Sequence, residues 1–88
     1  MLDDLQSRYR SRFVDGARAR LTRMRAATAD LATVSAELRA LAGEAAFLQF
    51  ARCAAVARQA DLHARSGEGR KCRDLLGALE EAVSAVSD

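Results

Sequence analysis

The stretch from Leu31 to Phe50 constrains the fold of this chain more than any other, because its two sides differ in character. Its apolar residues recur at the three- and four-residue intervals typical of the buried stripe of an α-helix. The stretch therefore predicts a central helix of about five turns. The members of this stripe are Leu31, Val34, Leu38, Leu41, Ala45 and Leu48.

The neighbouring face of the predicted helix is a shallow surface of small residues around one long cation, Arg39. Gly43 lies in its middle, where glycine costs roughly 1 kcal/mol relative to alanine. Three explanations are open for Gly43: it packs closely against another helix, it is simply tolerated, or it lets an outside molecule approach the backbone. The face comprises Ser35, Arg39, Ala42, Gly43 and Ala46.

The remainder of the chain continues the helical periodicity, without proline and without the alternation expected of a strand. We expect a first helix from about Asp3 to Ala27, a third that starts close to Phe50 and a fourth from about Glu68 to Val86. Four amphipathic helices with short connections predict an all-α, antiparallel four-helix bundle, with residues 1–88 forming a single domain. The predicted stripe of the first helix is Leu2, Leu5, Tyr9, Phe13, Ala17, Leu21 and Met24.

Two sequence signals mark the ends of these helices. Thr28 or Asp30 can cap the central helix, because a side-chain oxygen at this position accepts from exposed backbone N–H groups. Gly67 is expected to end the third helix in the left-handed conformation. The central helix is expected to end near Gln49. No glycine marks the turn between it and the third helix.

Charge and composition restrict the partners that are expected. Residues 1–29 carry seven arginines against three aspartates, a net charge of +4, whereas residues 30–88 have a net charge of −2. The arginines of the first helix form either a patch for acidic partners or an ordinary solvated face. No aromatic residues interleave with them to stack on bases, so nucleic acid is an unlikely partner. With neither a signal peptide nor an apolar run that could span a membrane, we expect a cytoplasmic protein without a membrane partner.

The residues that could carry chemistry are few. Cys53 and Cys72 fall on apolar helical faces, where free cysteine behaves as a small hydrophobic residue. His63 is the single histidine, and it is expected to interact with the carboxyl end of the third helix. Neither a metal site nor a cofactor is expected from this set. A Cys–His nucleophile is conceivable, but nothing in the spacing supports it.

The run from Arg39 to Leu48, RALAGEAAFL, resembles the signature of histidine phosphotransfer (HPt) domains. In that family an exposed histidine lies in mid-helix, a small residue or lysine follows three positions later, and a glycine follows four positions later. Ala42 and Gly43 match the last two positions, and Leu41 matches a buried leucine of the signature. The resemblance covers roughly residues 5–84 and implies an antiparallel four-helix bundle that docks receiver domains.

The position of the phospho-accepting histidine is occupied by Arg39. A guanidinium group remains protonated and is not a nucleophile, so it cannot accept a phosphoryl group as a neutral imidazole does. His63 lies on a different predicted helix and cannot replace it. The resemblance therefore implies a degenerate, non-enzymatic member, a pseudo-HPt domain of bacterial two-component signalling.

The expected function is that of an adaptor or inhibitor that binds a receiver domain or a histidine kinase without carrying phosphate. Arg39 would complement the acidic site of a receiver. The alternative is a structural or oligomerisation module, for example a homodimer formed through alanine-lined helices. The expected docking residues are Ser35, Ala36, Arg39, Ala40, Ala42, Gly43, Ala46 and Phe47.

Overall fold

The predicted all-α architecture is confirmed by a computed structural model, which contains four helices and, over residues 2–27 and 29–87 that it describes, no strand. Side chains are described for residues 4–27 and 29–87. The helices are α1 (Leu2–Ala26), α2 (Leu31–Phe47), α3 (Ala51–Arg65) and α4 (Gly69–Ser87). Each packs against two neighbours in a ring, α1 on α2 and α4, and α3 on α2 and α4. Successive helices run antiparallel, and the molecule measures 45 × 20 × 18 Å.

Short side-chain and backbone motifs close the ends of α2 and α3. The carboxylate of Asp30 accepts from the backbone N–H of Thr33 at 3.2 Å, which confirms Asp30 as the N-cap of α2. The other candidate for this cap, Thr28, lies outside the described residues. Gly67 has the expected positive φ, 74°, after α3.

The turn between α2 and α3 uses Gln49 where glycine is usual. Helix α2 ends at Phe47, two residues before the expected end near Gln49, and Gln49 has φ of 66°. The N–H of Phe50 donates to the carbonyl of Ala45 at 2.8 Å, and the N–H of Gln49 donates to Ala46 at 3.1 Å. These two bonds define a Schellman motif, which satisfies the last carbonyls of α2 and reverses the chain within three residues.

One hydrophobic core takes residues from all four helices. The central stripe of α2 is buried at Val34, Leu38, Leu41 and Ala45, as predicted, and its end members Leu31 and Leu48 are half-buried. Helix α3 contributes mainly small side chains, which let its neighbours approach closely. The buried residues of α3 are Cys53, Ala54, Ala57, Ala60, Asp61 and Ala64.

The first turns of α1 depart from the predicted burial. Leu5 and Tyr9 were expected in the core, but they are 49% and 51% exposed. The continuous core of α1 begins at Phe13, whose ring packs against that of Phe50 with 4.8 Å between centroids. The amino-terminal turns of α1 therefore extend beyond the part of the bundle in which all four helices meet.

Candidate docking surface on α2

The solvent-facing side of α2 is unusually apolar for an exposed helix. Six of the eight expected docking residues are exposed, and we call these six the α2 surface. Phe47 is 86% exposed, the largest value among the exposed large hydrophobic residues that the structure describes. Arg39 is the only charged member. The α2 surface consists of Ala36, Arg39, Ala40, Gly43, Ala46 and Phe47.

Ser35 and Ala42 do not belong to this surface, because both are buried. Residues seven apart lie almost on one line of a helix, so these two share an edge. That edge faces α3, where the Ser35 hydroxyl donates to the Asp61 carboxylate at 2.5 Å. The expectation that Ser35 and Ala42 lie on the exposed docking face is therefore wrong.

Gly43 is exposed, and a Cβ atom placed on it would meet nothing within 4 Å. Close packing within this chain is thereby excluded as the reason for a glycine at this position. Simple tolerance and the approach of an outside molecule are the two explanations that stay open.

The α2 surface has charged groups along both edges. Toward α1, Glu37 accepts from Arg20 at 3.1 Å and from Arg23 at 3.1 and 3.2 Å. Toward α3, Arg39 has no salt bridge with any side chain that the structure describes. The guanidinium group of Arg39 is thus available to a partner, whereas Arg20 and Arg23 on the other edge are already paired with Glu37.

An arginine of α3 lies close to Arg39 and was missed by reasoning from the sequence. Arg39 and Arg65 line one cleft of about 360 Å³ between α2 and α3. Side chains of a helix lean toward its amino terminus, so Arg39 reaches back toward Ser35 and Arg65 reaches back toward Asp61. The packing of α2 on α3, in which Ser35 pairs with Asp61, places the two arginines along the same cleft.

The remaining chemical candidates lie away from this surface. The His63 ring is hydrogen-bonded to Glu68 at the α3–α4 turn, with 3.0 Å between Nδ1 and Oε1. Cys53 and Cys72 are free and buried, as predicted. Among the side chains of residues 4–27 and 29–87, no three His, Cys, Asp or Glu residues cluster in a way that could hold a metal ion. In the same part of the chain, no helix has the length and apolar character needed to cross a membrane.

Comparisons with protein families, with curated proteins and with solved structures give no match for this chain.

Proposed function

We propose that this protein is a non-catalytic adaptor or inhibitor in two-component signalling, which docks a receiver domain or a histidine kinase through the α2 surface. The observation that carries the proposal is that one face of small residues exposes both Phe47 and Arg39, and that Arg39 has no salt bridge with any described side chain. Exposed apolar residues grouped in this way are typical of interaction sites. Aromatic and arginine side chains often contribute most to binding at such sites.

The open space at Gly43 supports the same proposal. A partner's backbone could approach α2 at this point, since a Cβ atom on Gly43 would meet no atom within 4 Å beyond the adjoining residues and backbone of its own helix. The resemblance of residues 39–48 to the HPt signature suggests the class of partner, and Arg39 at the acceptor position makes phosphotransfer by this helix chemically unavailable.

Charge reversal at Arg39 tests the proposal. Receiver domains and kinase domains from the source cell are first captured with the wild-type protein and then titrated in purified form by calorimetry. We expect Arg39→Glu to weaken the complex by about tenfold or more, because the arginine would face an acidic site on the partner.

Arg73→Glu is the matched control for this titration. Arg73 is exposed on α4 and has no salt bridge with the described side chains, and α2 packs on α1 and α3 rather than on α4. We expect Arg73→Glu to bind like the wild type. Equal affinities of Arg39→Glu and the wild type would remove Arg39 from the site, and failure of every receiver and kinase to bind would refute the proposed function.

A second candidate function is oligomerisation, which the exposed apolar residues at the start of α1 favour. Leu5 and Tyr9 are half-exposed, and Tyr9 lines a groove of about 240 Å³ with Leu48 and Phe50. A second copy of the chain could bury these residues, and a small bundle gains stability by dimerising. Light scattering measures the mass directly. A stable dimer that Leu5→Ser and Tyr9→Ser dissociate would support this function, and a monomer across the micromolar range would contradict it.

A further inference from the structure

The cleft between α2 and α3 has the features of a small oxyanion site. Its walls are mostly short and apolar, formed by Leu31, Ala32 and Ala64 with the polar Ser35 among them, and one arginine lies on each helix. Charge–charge interactions are stronger beside such apolar walls than in open water, because fewer water molecules screen them. The cleft therefore favours a compact negative group that can reach both Arg39 and Arg65.

The second arginine of the cleft is held in place by a buried carboxylate. Asp61 is 4% exposed, accepts a hydrogen bond from the Ser35 hydroxyl and forms a salt bridge with Arg65, with 3.3 Å between Nε and the carboxylate oxygen. The side chain of Arg65 is 56% exposed, so its guanidinium group can reach a ligand while it keeps the salt bridge to Asp61. An arginine that already has a salt-bridge partner loses less conformational entropy when it binds a ligand.

We propose that this cleft binds an oxyanion of the docked partner, either a carboxylate or a phosphoryl group, between the guanidinium groups of Arg39 and Arg65. The partner in this statement rests on the proposed function, whereas the anion site itself does not. Two arginines can donate several charge-assisted hydrogen bonds to one anion. Arg39 supplies a guanidinium group without a salt bridge to any described side chain, and Arg65 supplies one that is paired with Asp61.

A titration without any partner protein tests the site. Inorganic phosphate and acetate are added separately to the isotopically labelled protein at constant ionic strength, and NMR follows the arginine Nε–H signals and the backbone amides of residues 31–39 and 61–65. We expect saturable shifts in the cleft. Saturation by acetate as well as phosphate identifies a carboxylate site, and saturation by phosphate alone identifies a phosphoryl site.

Neutral variants assign the shifts to the two arginines. We expect Arg39→Gln to weaken anion binding by about tenfold or more, because it removes charge-assisted hydrogen bonds. Arg65→Gln is expected to do the same, but it also leaves Asp61 without its cation, so Arg39→Gln carries the assignment if Arg65→Gln does not fold. Arg73→Gln is the control and should bind like the wild type.

Two results would overturn the anion site: shifts that do not saturate, or saturable shifts that persist unchanged in Arg39→Gln. Neither result depends on a receiver or a kinase. A partner that binds the α2 surface while phosphate and acetate both leave the cleft unaffected would refute the cleft and leave the docking proposal standing. Saturable anion binding, combined with failure of every receiver and kinase to bind, would support the cleft and refute the docking proposal.

Discussion

Glu37 connects α2 to α1 through two arginines. The hydrogen bond from Arg23 is the main reason why the pKa of Glu37 lies below its ordinary value of 4.5, and Arg20 adds to this effect against the opposing influence of burial. A carboxylate whose pKa is lowered by folding stabilises the folded state above its unfolded pKa. This contribution is lost as the pH falls through the folded pKa.

We expect Glu37→Gln to lower the free energy of unfolding by about 1 kcal/mol at pH 7, because it removes a partly buried charge that pairs with two cations. The difference from the wild type should shrink below about pH 4 and disappear once the wild-type carboxyl is protonated. Urea unfolding at pH 7 and at pH 3 measures both values. Glu44→Gln, at an exposed position of the same helix without a salt bridge to the described side chains, is the control. A difference that is equally large at pH 3 would contradict the electrostatic explanation.

Gly43 allows stability and binding to be separated at a single residue. Both Gly43 and Gly77 are exposed in mid-helix, and a Cβ atom at either would meet nothing within 4 Å. We therefore expect Gly43→Ala and Gly77→Ala each to raise the free energy of unfolding by about 0.5–1 kcal/mol through helix propensity.

The same two variants should differ in binding. A methyl group at residue 43 would stand where the partner's backbone is proposed to approach, so Gly43→Ala should weaken the complex measured by calorimetry, while Gly77→Ala on α4 should not. Unchanged affinity of Gly43→Ala would mean that the glycine is merely tolerated at this position.

At the scale of whole elements, the α2–α3 turn carries strain that the α3–α4 turn avoids. Both turns are closed by the same pair of backbone hydrogen bonds, but the left-handed position is Gln49 in one and Gly67 in the other. A non-glycine residue in that conformation costs roughly 1 kcal/mol. Gln49→Gly should therefore raise the free energy of unfolding by about 0.5–1 kcal/mol, after allowance for the greater freedom of glycine in the unfolded chain.

Chemical denaturation measures the free energy of unfolding of Gln49→Gly and of Gly67→Ala, which make opposite substitutions in the two turns. Gly67→Ala introduces the strain that Gln49→Gly removes, so we expect it to lower stability by about 1 kcal/mol. Destabilisation by Gln49→Gly would show that contacts of the glutamine side chain outweigh the backbone strain.

Sequence periodicity could place the elements but could not decide which edge of each would be covered. The stripe of α2, the Asp30 cap and the end of α3 at Gly67 follow from local rules of spacing and capping. Ser35 and Ala42 were misplaced because the two edges of an amphipathic helix look alike until a neighbouring helix covers one of them. Here α3 covers that edge through Asp61, a contact between residues 26 positions apart.

At the scale of the whole molecule, local periodicity also cannot predict which turns of α1 are exposed or where the candidate site lies. The stripe of α1 continues unbroken through Leu5 and Tyr9, so nothing local distinguishes residues inside the bundle from those beyond it. The all-α bundle could be predicted because four periodic segments with short connections have few other ways to bury their apolar sides. The cleft between Arg39 and Arg65 could not be predicted from the sequence, because it depends on the register of α2 against α3.

Chemical labelling of the two buried thiols can measure the rate at which the bundle opens. Burial raises the pKa of Cys53 and of Cys72, and Asp61 raises that of Cys72 further. Because the side chains are only 1% and 2% exposed, a thiol reagent can react only after α3 or α4 has moved away from its neighbours. The rate of labelling therefore reports how often these helices separate in the native protein.

Gln49→Gly should slow this labelling if the α2–α3 turn opens together with the core, and it should leave the rate unchanged if the turn frays by itself. Cys53 and Cys72, which take no part in the proposed binding, thus report whether the protein opens as one unit or helix by helix.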